Sequence, residues 1–150
     1  MRLWVETNSD EVGRAVRAKI KDMAADVNRQ VISRATRAVN VMRNAELEVL
    51  RGQRSGKRYR KYPFRSYYTA SAPGEPPARR SGNLRLHWNG TVETSPHGKG
   101  VEVKAVLESQ EKYAVYLEEG TKKMAARPFH DRIAEKAKPE IEKIYSEPYR

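Results

Sequence analysis

The chain has 150 residues, 38% of them hydrophobic and 33% charged, which suits one domain around one core. It has no cysteine, which excludes disulfides and thiol chemistry. No apolar run approaches the ~20 residues of a membrane span, and Met1–Glu6 lacks a signal-peptide core. The formal net charge is +11, and +8 of it falls between Arg51 and Arg80, where nine Lys and Arg stand against the single acid Glu75. Such a stripe points to an anionic partner, nucleic acid or an acidic protein face. The plainer alternative is a solvated loop whose charge aids solubility.

Leu3–Thr7 alternates weakly, as a short strand does. A long helix then spans about Asn8 to Leu50. Val12, Val16, Ile20, Met23, Val27, Val31, Ala35, Ala38, Met42, Ala45 and Val49 recur at threes and fours, forming one stripe. Asn8 and Glu11 have the spacing of a capping box, and Gly52 is placed to end the helix in a left-handed conformation. Such a helix is roughly 60 Å long and has no core of its own.

Residues 52–82 lack a helical stripe. The first half interleaves basic residues with Tyr59, Tyr62, Phe64, Tyr67 and Tyr68, and the second, Ser71–Pro77, is too rich in proline for helix or central strand. Loops of this length in compact domains are functional or disordered. Five aromatics need a surface, so the segment reads as an arm that orders against another subunit or partner.

After Gly82 the period becomes two. Leu84, Leu86 and Trp88 alternate with Arg85 and His87 as a half-buried strand, with Thr91–Thr94 extending it. Residues 95–100 form a turn, and Val101, Val103 and Ala105 return as the second strand of a hairpin that covers the helix stripe. Tyr113–Leu117 is an apolar knot, one helical turn stopped by Gly120. Pro128 suits the first position of a closing helix, whose stripe is Phe129, Ile133, Ala137, Ile141 and Ile144, with Pro139 set to kink or split it. The fold class is α+β: a long N-terminal helix on a small antiparallel sheet, an extended basic arm at about 52–82 and a C-terminal helix, in a single domain over 1–150.

Catalytic chemistry is sparse. His87, His97 and His130 lie far apart and match no metal-ligand spacing. His87 belongs on the polar face of its strand and His97 in a turn. Glu118 and Glu119 point about 100° apart on a helix, so they read as surface charges or partners of Lys122 and Lys123. No glycine-rich loop leads from a strand into a helix. Neither a catalytic site, a metal site nor a cofactor is expected. The candidate residues are those of the arm. Arg54, Lys57, Arg58, Arg60, Lys61, Arg65, Arg79 and Arg80 face an anionic partner or DNA, and Tyr59, Tyr62, Phe64, Tyr67 and Tyr68 anchor an interface.

Three stretches together carry a resemblance. Ala70-Ser71-Ala72-Pro73-Gly74-Glu75-Pro76-Pro77-Ala78 runs through Ser81-Gly82-Asn83-Leu84-Arg85. Tyr113-Ala114-Val115-Tyr116-Leu117-Glu118-Glu119-Gly120-Thr121 comes next, and Ala126-Arg127-Pro128-Phe129 opens the last helix. In that order and spacing, over roughly residues 8–145, the chain resembles the neck or tail-component family of tailed bacteriophages. The resemblance implies a non-enzymatic virion protein, a homo-oligomeric (hexameric) ring at the head–tail neck or the top of the tail, around the channel that double-stranded DNA traverses. It implies head-completion or connector proteins and tail-tube or tail-terminator proteins as neighbours, assembly in the bacterial cytoplasm, and neither a membrane nor a small-molecule substrate. The competing expectation is a free basic nucleic-acid-binding protein.

Overall fold

A computed structural model of the chain describes residues 9–98 and 100–150. The expected strand at 3–7 and the Asn8 cap lie outside them. The first helix, α1 (Ser9–Arg51), is continuous, with Asp10 and Glu11 in its first turn and Arg51 in its last, each matched to the helix dipole. It ends just before Gly52, but not through a left-handed glycine, since Gly52 has no positive φ. Arg54 folds back instead. Its guanidinium donates to the carbonyls of Val49 (2.9 Å), Gly52 (2.8 Å) and Gln53 (3.0 Å), so a side chain caps the orphan carbonyls.

Two short strands follow, β1 (Arg58–Arg60) and β2 (Tyr67–Thr69), paired antiparallel from Arg58↔Thr69 to Arg60↔Tyr67. The strand expected from Leu84 does not form there. Asn83–Leu86 is a helical turn, α2, entered through Gly82 at φ 100° with the Ser81 hydroxyl accepting from the Asn83 amide. The left-handed glycine turns the chain before the alternation can be used. The alternation carried a buried Leu84 on a helical turn, and Trp88 donates its indole N–H to the Leu84 carbonyl.

The main hairpin is longer than expected, β3 (Trp88–His97) with β4 (Gly100–Ser109), paired from Trp88↔Ser109 to His97↔Gly100. The strands therefore absorb most of the turn expected at 95–100. Pro96 sits in β3 opposite Val101, tolerated because each strand of a two-stranded ribbon has an open edge. The apolar turn at 113–117 is α3 (Ala114–Glu119), stopped at Gly120 with φ 79°. The last helix, α4 (His130–Ser146), begins two residues after Pro128 rather than at it, and runs unbroken through Pro139. Pro139 and Glu135, whose carbonyl loses its amide partner, are both exposed, so water can take the vacant bond.

The core lies where the C-terminal half of α1 is gripped from two sides. Val41, Ala45 and Leu50 meet Phe129, Ile133, Ala137 and Ile144 of α4, with Leu84 and Ala114 closing one end. Trp88 meets Phe129 edge to face, 6.2 Å between ring centres. The second grip is the β3–β4 face. A Cβ at Gly90 would stand 2.5 Å from Val39 Cγ1, so the strand approaches the helix as closely as only glycine permits. Two contact faces explain why burial is broader than the single stripe, taking in Arg34, Val39, Val41 and Glu46 as well as Ala35, Ala38 and Ala45. The α1–α4 seam is antiparallel. Arg37 pairs with Glu147 through two 2.7 Å bonds, Glu48 with Lys136 at 2.6 Å, and Gln30 exchanges hydrogen bonds with the backbone of Arg150.

Among the described residues, the first half of α1 has no such cover. Val12, Val16, Ile20, Met23 and Val27 remain 40–63% exposed.

Glu46 is fully buried, bonded to Arg43 and facing Arg85, with Oε1 unpartnered. Burial outweighs the two guanidinium groups and lifts the carboxyl from about 4.5 to about 7. A raised carboxyl contributes stability that is whole below the unfolded value and is lost as pH rises through the folded one. Urea midpoints should therefore fall as pH is raised from about 4.5 to about 7, with a slope of at most ~1.4 kcal/mol per pH unit from this group. Glu46→Gln should remove that component, and an unchanged slope in the variant would refute the assignment.

Candidate functional site

The sequence places its candidate residues in one arm, which folds as two unlike parts. The first is a projecting hairpin. The β1–β2 ladder is extended at its base by Gly56 N–H to Ala70 O (2.9 Å) and Ala70 N–H to Lys57 O (2.9 Å), and at its tip by Lys61 N–H to Ser66 O (2.8 Å). Gly56 is required there, because a Cβ would lie 2.6 Å from the Ala70 carbonyl oxygen.

Tyr59 and Tyr68 face each other across the ladder and stack, with ring centres 5.8 Å apart. The Arg58 guanidinium covers the Tyr67 ring at 4.7 Å. At the tip Tyr62 is 90% exposed and Phe64 68%. These two large aromatics at the end of the ribbon are left largely open to solvent. Lys57, Arg58, Arg60 and Arg65 are exposed around them and Lys61 half-exposed.

The second part, Ser71–Ala78, folds back on the body as a strap. Ser71, Pro76 and Pro77 are buried. The expectation of an arm waiting for a partner along its whole length is thus corrected for this half. The reason is polar. Glu75 accepts from the Ser55 amide (3.0 Å), the Ser55 hydroxyl (2.5 Å) and the Ala72 amide (2.9 Å). Arg127 grips the Ser71 hydroxyl and its carbonyl, Arg132 donates to the Gly74 carbonyl (2.9 Å), and the Gly74 amide donates to Ala126 (3.1 Å). Arg54 ties Pro77 to the end of α1 through its carbonyl (3.2 Å).

The candidate cations therefore divide. Arg54 is consumed by the fold, half-buried and with its pKa lowered by burial, and does not face a partner. Lys57, Arg58, Arg60, Lys61 and Arg65 gather on the hairpin. Arg79 and Arg80, also exposed, lie past the strap at its foot. Among the aromatics Tyr62, Phe64 and Tyr67 are open, whereas Tyr59 and half-buried Tyr68 are partly spent on each other.

Several residues read as surface are structural. Glu118 does not pair with Lys122 or Lys123. One of its oxygens accepts the amides of Phe129 (2.9 Å) and His130 (3.1 Å), capping α4 from α3. Arg127 N–H to Leu117 O (2.8 Å) clasps the same two elements. His87 lies between α2 and β3, not on a strand face, and its Nδ1 is 2.5 Å from Glu111. The spacing of Glu118 to Phe129 carried no local cap signal, since the cap crosses between helices. Among the described residues no cluster of three or more His, Asp or Glu could hold a metal, and no helix is long and apolar enough to cross a membrane.

No family model matches the chain, and neither a curated protein nor a solved structure matches it.

The three hydrogen bonds to Glu75 hold its carboxyl far below the ordinary range, at about 2. A depressed carboxyl contributes stability above its unfolded value, near 4.5, and loses it as pH falls toward about 2. Glu75→Gln should therefore loosen the strap at neutral pH. Hydrogen exchange at Ser55 and Ala72 should speed up, while protection along the α1–α4 seam stays as it is. Unchanged exchange at both amides would show that the strap holds without this carboxylate.

Proposed function

We propose that this chain is a non-enzymatic structural subunit of a bacteriophage virion, forming a ring at the head–tail neck or the top of the tail around the DNA channel. The observation that carries the reading is incompleteness at two separate places. The apolar residues of the first half of α1, Val12 to Val27, stand uncovered along about four turns of helix. At the hairpin tip Tyr62 and Phe64 do the same. Helices draw most of their stability in proteins from tertiary packing of an apolar face, and contiguous apolar patches of this kind mark protein–protein contacts.

Two unlike sticky surfaces on one subunit suit a heterologous, head-to-tail contact, and such contacts close into rings when the rotation allows. The resemblance of the three motifs to the neck or tail-component family favours the same assembly, with head-completion or connector proteins and tail-tube or tail-terminator proteins as neighbours. Basic residues on the hairpin then face either an acidic neighbour or the passing duplex.

The test is complementation. In a phage carrying this gene, a null allele should yield filled heads and separate tails by electron microscopy. A Tyr62→Ser/Phe64→Ser variant should fail to restore joined particles although its melting temperature stays within about 2 °C of wild type, since exposed substitutions cost little stability. Normal infectious particles from the null allele would reject the role.

A second reading has one specific observation in its favour: an exposed, basic two-stranded ribbon has dimensions that fit the major groove. A free DNA-binding protein should hold a duplex at ~50 mM salt and lose affinity steeply as salt rises. An Arg58→Gln/Arg60→Gln variant should show a shallower salt dependence by about two phosphate contacts. No duplex binding at the lower salt would remove this reading.

A further inference from the structure

Between the foot of the hairpin and the body lies a half-open cleft of about 580 Å³, within the range of ligand sites. Tyr59 and Tyr68 wall it on the hairpin side, and Leu84 and Leu117 are among the apolar side chains that line the body side. Four arginines line it from three parts of the chain: Arg79 and Arg80 after the strap, Arg85 on α2 and Arg127 before α4. No aspartate or glutamate lines it among the described residues. The neighbouring acids are engaged elsewhere. Glu75 is held by Ser55 and Ala72, Glu118 caps α4, and Glu111 sits against His87.

Two of the cations keep an unspent donor although partly engaged, since Arg127 also donates to Ser71 and Arg85 faces Glu46. The Nε atoms of Arg85 and Arg127 are buried without a hydrogen-bond partner, and a buried donor left unpaired is costly. Arg79 and Arg80 donate no side-chain hydrogen bond to any described residue. Glu46 behind Arg85 is a single carboxylate facing two guanidinium groups, Arg43 and Arg85, so it leaves positive charge over.

We propose that this cleft binds an extended acidic segment of a different protein, its carboxylates on the four arginines and an apolar side chain between the tyrosine wall and the leucines. Concavity and an apolar lining argue for a peptide over a duplex, whose convex rod of phosphates cannot enter a half-closed cleft. The arginines lining the cleft argue against the basic hairpin of a second copy as its occupant. Arginine is suited to the task because its planar fork matches a carboxylate with two parallel bonds. The inference stands on the cleft alone. Within the proposed ring it assigns the cleft to a neighbouring layer instead of the next subunit, and it can fail while the ring reading survives.

The test is fluorescence anisotropy with the full chain and a labelled peptide, Glu-Leu-Glu-Phe-Glu-Leu-Glu, at ~150 mM salt, where distant charges are screened. The peptide should bind with one-to-one stoichiometry, and its glutamine counterpart at least about tenfold more weakly. Arg79→Gln/Arg80→Gln changes two exposed residues and should weaken the acidic peptide by about tenfold or more. Lys104→Gln/Lys138→Gln removes the same charge from exposed surface pairs and should leave affinity within about twofold. Arg85→Gln should weaken binding in step with the rim pair, its thermal melt reporting whether the fold survives. No binding by wild type, or equal losses in the two double variants, would overturn the proposal. So would a short DNA duplex whose affinity falls in Arg79→Gln/Arg80→Gln while that of the peptide does not, which assigns the cleft to nucleic acid.

Discussion

The second half of α1 has to satisfy two neighbours at once, and the rest of the molecule follows from how it does so. Ala35, Ala38 and Ala45 on α1 and Ala137 on α4 are at most 5% exposed. Small residues let backbones come close, and close packing of many weak dispersion contacts is what holds such a seam. On the other side Gly90 brings β3 against Val39. The ion pairs along the α1–α4 seam fix register more than strength. Arg37 and Glu147 are both over 40% exposed and Lys136 and Glu48 about half exposed, where such pairs contribute little. Their equal steps along the two helices show a register held in one antiparallel alignment.

Around that seam, charged side chains repeatedly serve backbone that has no regular partner. Arg54 takes the carbonyls at the end of α1, Glu118 takes the amides at the start of α4, and Glu75 takes the amides of Ser55 and Ala72. Each of these ends or loops is thus closed by a charged side chain where regular backbone partners are lacking. A chain that is one-third charged can fold around a modest core because part of that charge does the work of secondary structure. The strap is the clearest product: eight residues with almost no regular structure are fixed by ties to the chain just after α1, the chain before α4, and α4 itself.

The elements with strong period were legible. The stripe from Val12 to Val49 gave α1, and Phe129 to Ile144 gave α4, because both helices bury one face against a partner in the same chain or extend a pattern that demands one. The α+β class followed from these and from the Val101–Ala105 alternation. What the sequence concealed is local backbone geometry. Leu84, Leu86 and Trp88 alternate as in a strand, yet Gly82 turns the chain into a helical turn before them. Pro139 signals a break, yet an exposed neighbour carbonyl lets the helix continue. Of the candidate site, the hairpin cations and Tyr62 and Phe64 were legible as an unattached basic, aromatic stretch. Arg54 was not separable from them, since nothing local shows that one arginine in a basic run turns back to cap a helix. Arg85 and Arg127 lie outside that run, and only the fold brings them to its foot.

The two halves of the arm have opposite physical characters because their sequences do. Ser71–Ala78 has few charges, buried prolines and one carboxylate that collects three donors, so it gains by lying on the body. Arg58–Arg65 has a cation at nearly every second place, and laying it on the body would add the cost of desolvating those charges, which the strap does not meet. That cost disfavours laying the hairpin on the body, while the strap anchors its root. The cleft is the space this division leaves, walled by the standing hairpin and floored by the core. An acidic segment in the cleft would set opposite charge beside the hairpin's cations, so occupancy of the cleft and the charge of the hairpin would be electrostatically coupled.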